Sequence, residues 1–198
     1  MKQPTYRYLG SADNPRTLVV DDDTALWCAR MLVGEAGKIH RDEASAMLWA
    51  MLNRWFLHPG RRHWPTFLDM IRRFSQPINP DWQRGGRLAK KHAGTIHCTR
   101  GKLTRRELIC SLDWDSPALN HVAEYIVDFQ LGILEPPEEL FDLDKPRISN
   151  WASYKGLPDK YPWGISFEKN KRKRFNWFFE DKRLIAGHVV SDYWMGEV

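Results

Sequence analysis

Glu35 is the residue around which chemistry could be built. It stands between Gly34 and Gly37, where one apolar run ends and another begins. In the first run Leu26, Trp27, Met31 and Leu32 recur near helical spacing. In the second, Ala44, Met47, Leu48, Met51, Leu52, Trp55 and Phe56 follow the i, i+3, i+4, i+7 rhythm of a helix with one apolar face. A carboxylate at the turn between two packed helices is firmly held and still reaches a cleft. Its chemistry would be proton transfer. A carboxylic acid whose pKa is raised by apolar surroundings can protonate a leaving oxygen near neutral pH. Leu32, Val33 and the tryptophans of the second helix are the expected neighbours. The plain alternative is a helix-end glutamate paired with Lys38 or Arg41.

Other residue types that carry chemistry are scattered. Cleavage of a glycosidic bond by water calls for a second carboxylate roughly 5–9.5 Å from the first. Asp42, Glu43, Asp81, Asp113 and Glu124 are available, and the pattern does not choose among them. Phe74, Ser75, Gln76, Asn79 and Trp82 form a polar and aromatic loop. It reads equally as one wall of a sugar groove or as a proline-broken connector with its rings in the core. Trp151 and Tyr154, with Tyr161 and Trp163, read as a stacking platform or as core-edge packing. His92, His97, Cys98 and Cys110 match no usual zinc spacing, so no metal is expected.

The elements that would position these residues follow from period and end signals. Helices are predicted over 24–36, 42–56 and 117–131, with shorter ones over about 65–73 and after Thr104. The acidic triplet Asp21-Asp22-Asp23 suits a helix N-terminus. Thr104 and Glu107 fit a capping box. Ser116-Pro117 reads as a cap and first-turn proline, and Ala118, Leu119, Val122, Ala123, Ile126 and Val127 as one apolar face ending at Gly132. Residues 1–23 read as an irregular lead-in. Residues 150–198 read as an aromatic and basic C-terminal part, in which 175–179 and 184–190 form a short hairpin. The fold class is mainly α with a small β element, in a single domain spanning 1–198.

Composition narrows the partners. The 198 residues are 42% hydrophobic, enough for a core, and carry a formal net charge of +5. That charge favours anionic partners: nucleic acid, lipid headgroups or an acidic polymer such as cell wall. The KNKRKR run at 169–174 is its densest expression, although such runs are most often solvated faces. No recognisable nucleic-acid-binding module surrounds it. No apolar run reaches the roughly 20 residues that a bilayer demands, and no secretory signal opens the chain. The three cysteines form no CxxC pair, and Cys28 sits among apolar residues as a small buried hydrophobe.

One stretch resembles a known family. The segment ARMLVGEAGKIHRDEASAMLWAMLNRW is similar to the opening motif of the cell-wall hydrolases that include the spore-cortex-lytic enzymes. In that motif a helix ends in an acid followed by Ala and Gly, and an apolar helix then ends in Asn-Arg. Here these are Glu35, Ala36, Gly37, Asn53 and Arg54. Arg73-Phe74-Ser75 resembles the family's Gln-Phe-Ser, with arginine in place of glutamine and Gln76 three positions later. Asn150-Trp151 with Tyr154, and Gly187-His188-Val189 with Tyr193, are looser counterparts. The resemblance implies a lysozyme-like fold and cleavage of peptidoglycan glycan strands, as a muramidase or a lytic transglycosylase. It implies Glu35 as the single catalytic acid, with no cofactor. Ser75, Gln76, Asn79, Trp82, Trp151 and Tyr154 are the residues expected to bind substrate.

With no exporting signal, the expectation is a bacteriophage endolysin or virion-associated lysin. Such a bacteriolytic enzyme would stay in the host cytoplasm until released to the wall, or would travel in the virion. It is expected to act as a monomer on the anionic envelope. A basic nucleic-acid-binding protein and a non-catalytic phage structural protein are the competing readings.

Overall fold

The longest elements form where the apolar period is cleanest. The computed structural model describes residues 4–8, 17–37, 39–57, 64–79, 95–98, 101–137, 148–153, 176–180 and 193–197. Helix α1 spans Asp22–Ala36 and α2 spans Arg41–Leu57. Both begin slightly before the expected positions. In α1 the reason is that Asp21 is the cap: its carboxylate accepts the Thr24 backbone N–H at 2.8 Å.

Helix α2 departs from the single apolar face read from its sequence. Every residue from Ala44 to Phe56 is buried, including Ser45, Asn53 and Arg54. A helix buried all round is an interior element. The second covering layer comes from far away in sequence, because strand β5 (Ile148–Ser153) packs on α2.

Helix α3 (Phe67–Phe74) is headed by a Thr66–Asp69 capping box, two residues later than the sequence suggests. After it come the strands β3 (Thr95–Cys98) and β4 (Gly101–Thr104) and the short helix α4 (Arg105–Cys110), whose Thr104–Glu107 capping box forms as expected. A 3-10 turn over Pro117–Leu119 leads into α5 (Asn120–Gln130). Ser116 does not cap this helix; its hydroxyl bonds Asp113 instead. The apolar face of α5 is narrower than its pattern suggests. Leu119, Val122, Ile126 and Phe129 are buried, while Ala118 and Val127 face solvent. The buried positions form one narrow stripe, and Val127 lies about 100° round the helix from Ile126, outside it. Gly132 does terminate the segment, at φ 72°. The hairpin made by the two long helices is not the core in itself. Helix α1 packs chiefly on α5 and α3, and α2 chiefly on β5.

The β structure is small but more dispersed than one hairpin. Strands β1 (Pro4–Tyr8) and β2 (Thr17–Val19) lie in the segment read as an irregular lead-in. With β7 (Tyr193–Glu197) they form an antiparallel sheet of order β2-β1-β7, in register Thr5↔Gly196 and Tyr6↔Leu18. The reason is pairing across the length of the chain, which no local pattern announces. Strand β6 (Asn176–Glu180) pairs antiparallel with β5; its expected partner over 184–190 lies outside the described residues. The architecture is mainly helical. No helix among the described residues is long and apolar enough to cross a membrane.

Candidate active site at the end of α1

The last turn of α1 contains no basic residue to meet its free carbonyls. A helix end of that kind needs donors from elsewhere, and two other helices supply them. Arg105 Nη2, from the first turn of α4, donates to the Gly34 carbonyl at 3.3 Å. His121 Nε2, from the first turn of α5, lies 2.7 Å from the Gly37 carbonyl. A carbonyl only accepts, so Nε2 carries the proton. The Gly37 N–H closes back on the Val33 carbonyl at 2.9 Å with φ 68°, a conformation that suits glycine. Glu35 is held between these two clamps.

The side chain of Glu35 is reached from α3. Ser75, the C-cap of α3, is fully buried, and its Oγ donates to Glu35 Oε1 at 2.9 Å. The approach depends on Gly34. A β-carbon there would lie 2.7 Å from Cβ of Pro77 and 2.8 Å from its Cγ. The absence of a side chain therefore lets the 75–78 turn press onto α1. That turn is itself tied down: Ser75 N–H donates to Ile71 O, and Asn79 N–H to Ser75 O at 2.9 Å.

Arg54 of α2 supports the same corner from behind. Arg54 is 2% exposed, and its guanidinium lies 3.8 Å from the centroid of Phe74, the residue before Ser75. Phe74 meets Trp151 edge-on at 5.7 Å, and Trp151 meets Phe178 at 6.4 Å. A chain of contacts thus runs from the buried helix through Arg54 and Phe74 to Ser75 and Glu35.

Among the residues singled out from sequence, Glu35 and Ser75 come together. Gln76 is half-buried in the same turn. Asn79 bonds its amide to the Arg73 carbonyl, bracing the turn. Trp151 is 8% exposed, with the protein's own rings as its stacking partners. Trp82, Tyr154, Tyr161 and Trp163 lie outside the described residues, as do His92, Lys38, Asp81 and the 169–174 run. Arg41, the alternative partner for Glu35, forms ion pairs with Asp128 and with Glu124 at 3.8 Å. Of the possible second carboxylates, Glu43 accepts from Asn176 at 2.8 Å, Asp113 from Ser116 at 2.8 Å, and Glu124 pairs with Arg41. Trp49 and Trp55 of α2 give their N–H groups to the carbonyls of Leu134 and Trp64. Cys28 is buried as expected.

Sequence reasoning missed Arg105, His121 and the Gly34–Pro77 contact. The one signal for the last was a helix-interior glycine next to a candidate acid; the other two had none. Comparison with family models, with curated proteins and with solved structures gives no match.

Proposed function

We propose that the chain cleaves the glycan strands of peptidoglycan, with Glu35 as the acid that protonates the glycosidic oxygen. The observation that carries this reading is the hydrogen bond from the buried Ser75 hydroxyl to Glu35 Oε1. A carboxyl group that works as acid and then base must keep one orientation through both steps. Ser75 fixes the carboxyl group through one of its oxygens. The Arg105 and His121 clamps hold the backbone that carries it. The likeness of 29–55 to the cell-wall hydrolase motif supplies the substrate class, and a lysozyme-like helical fold belongs to the same reading.

Glu43, Asp113 and Glu124, three of the carboxylates considered as a second group, have partners elsewhere, which favours a route that needs only one. In that route the C6 hydroxyl of the muramic residue attacks its own anomeric carbon. Glu35 gives its proton to the leaving oxygen and takes the hydroxyl proton, and a 1,6-anhydro end results. The basic character of the chain suits an anionic wall, and action as a phage lysin is part of the proposal.

Digestion of purified peptidoglycan tests this, with the soluble products analysed by mass. Anhydromuramic ends are expected. Reducing ends would show that water attacks and that a second carboxylate has been overlooked. No soluble product, together with salt-sensitive DNA binding, would replace the reading with a nucleic-acid-binding one.

A further inference from the structure

Trp151 reads from sequence as part of a sugar platform, but a ring that stacks on a sugar must keep a face open to it. Trp151 is buried, and its ring meets Phe74 edge-on at 5.7 Å, with 72° between the two planes. On its other side stands Phe178, its register partner in the β5–β6 pair and fully buried. Phe74 is gripped a second time by Arg54, whose guanidinium lies over the ring, 3.8 Å from its centroid. Both contacts follow the quadrupole of the ring, so together they fix its plane as well as its place.

Burial of Arg54 costs desolvation that an apolar side chain of similar size would not. What the guanidinium adds is direction, because its plane stacks flat on a ring and an ammonium does not. Arg54 belongs to α2 and Trp151 to β5, and these two elements pack on each other. The two grips on Phe74 are therefore tied together.

The residue they control is the next one in the chain. Phe74 ends α3, and Ser75 is its C-cap, already extended at φ −75° and ψ 116°. A fixed Phe74 ring fixes the direction in which the chain leaves the helix. Pro77, pressed onto Gly34, holds the other side of the turn. Between them the Ser75 hydroxyl meets Glu35 Oε1 at 2.9 Å.

We propose that Trp151 and Arg54 are positioning residues: by gripping Phe74 they aim Ser75, and through it the Glu35 carboxyl, without touching substrate. The proposal rests on the reading of Glu35 as the acid. It moves Trp151 from the glycan groove to the frame behind the acid.

Cleavage of soluble glycan strands, with kcat and KM separated, tests the assignment. Trp151→Leu and Arg54→Lys should each lower kcat roughly tenfold, short of the 10²-fold that a misplacement of about 1 Å can cost. KM should stay within about twofold, as expected when ground-state binding is untouched. A raised KM with unchanged kcat in Trp151→Leu would return that ring to the substrate and overturn the proposal. In a Phe74→Leu background, Arg54→Lys should change kcat by less than about twofold, since the ring through which it acts is gone. An equal loss in both backgrounds would also overturn it. Trp49→Phe, buried on the same helix but bonded to the Leu134 carbonyl, should leave kcat within about twofold. A tenfold loss there would show that any loosening of α2 lowers turnover, and the specific grip would fall. If Trp151→Leu does not fold, Trp151→Phe and Arg54→Lys still decide the matter.

Amide hydrogen exchange answers without a substrate. The Ser75 and Asn79 N–H groups, bonded to the Ile71 and Ser75 carbonyls, should exchange faster in Trp151→Phe and Arg54→Lys. The Ala25 N–H, bonded to Asp21 at the far end of α1, should not change. A wild type that leaves glycan strands intact would remove the glycan reading, and exchange would then judge the grip by itself. Unchanged rates at Ser75 and Asn79 would overturn it.

Discussion

The two ends of α1 are built by different means. At the N-terminus everything is local: Asp21 caps Thr24 three residues away, and Asp22 and Asp23 follow in the first turn. At the C-terminus almost everything is remote. Ser75, Arg105 and His121 reach the last turn from 40, 71 and 84 residues along the chain. A local cap holds one helix in shape. A remote cap also holds three other elements against that helix, so it can place a side chain to within hydrogen-bonding distance of a chosen partner. The candidate catalytic carboxylate is at the remote end.

Four substitutions set the two ends against each other. The largest effect is expected at Glu35. Glu35→Gln keeps the shape and can still accept from Ser75, but it cannot deliver a proton. Turnover of peptidoglycan should fall by about 10²–10⁴, with the urea midpoint nearly unchanged. Near-normal turnover would remove Glu35 from the chemistry.

Next is Ser75→Ala, which leaves Glu35 Oε1 without its hydroxyl donor. A hydrogen bond between neutral groups contributes about 0.5–1.5 kcal/mol, so turnover should fall by about two- to tenfold. Little change in turnover would mean that other contacts orient the carboxyl.

Gly34→Ala should destabilise by about 1–2 kcal/mol. Ala favours a helix by up to about 1 kcal/mol over Gly, but the overpacking against Pro77 costs more. Urea unfolding reads the sign directly, and a stabilised variant would show that the 75–78 turn does not press on α1.

The smallest effect is expected at the local end. Asp21→Ala should cost about 1 kcal/mol near neutral pH and leave turnover alone. The Thr24 hydrogen bonds hold the Asp21 carboxyl below its ordinary pKa. Its contribution is therefore present above the unfolded value of about 4 and is lost as the pH falls through the lower folded value. Wild type and Asp21→Ala should converge in stability in strong acid. A gap that persists there would assign the cap to something other than the ionised carboxylate.

The sequence by itself determined the helices of this protein and the place of Glu35. Period 3.6 in the apolar residues, the Asp21 cap, the Thr104–Glu107 box and the Gly132 stop are all local signals. Each acts through hydrogen bonds or packing within one or two turns, so the chain carries them in its order. Tertiary structure alone decided what meets what. The all-round burial of α2 needed β5 from beyond residue 147, and the β2-β1-β7 sheet needed residues 193–197. Val127 reads as core and faces solvent, because the docked helix buries only the stripe of Leu119, Val122, Ile126 and Phe129. Arg105 and His121 carry no mark of their task in the sequence. A hydrogen bond across 71 or 84 residues depends on the docking of whole helices, and that docking is set by the summed burial of many apolar side chains rather than by any local spacing.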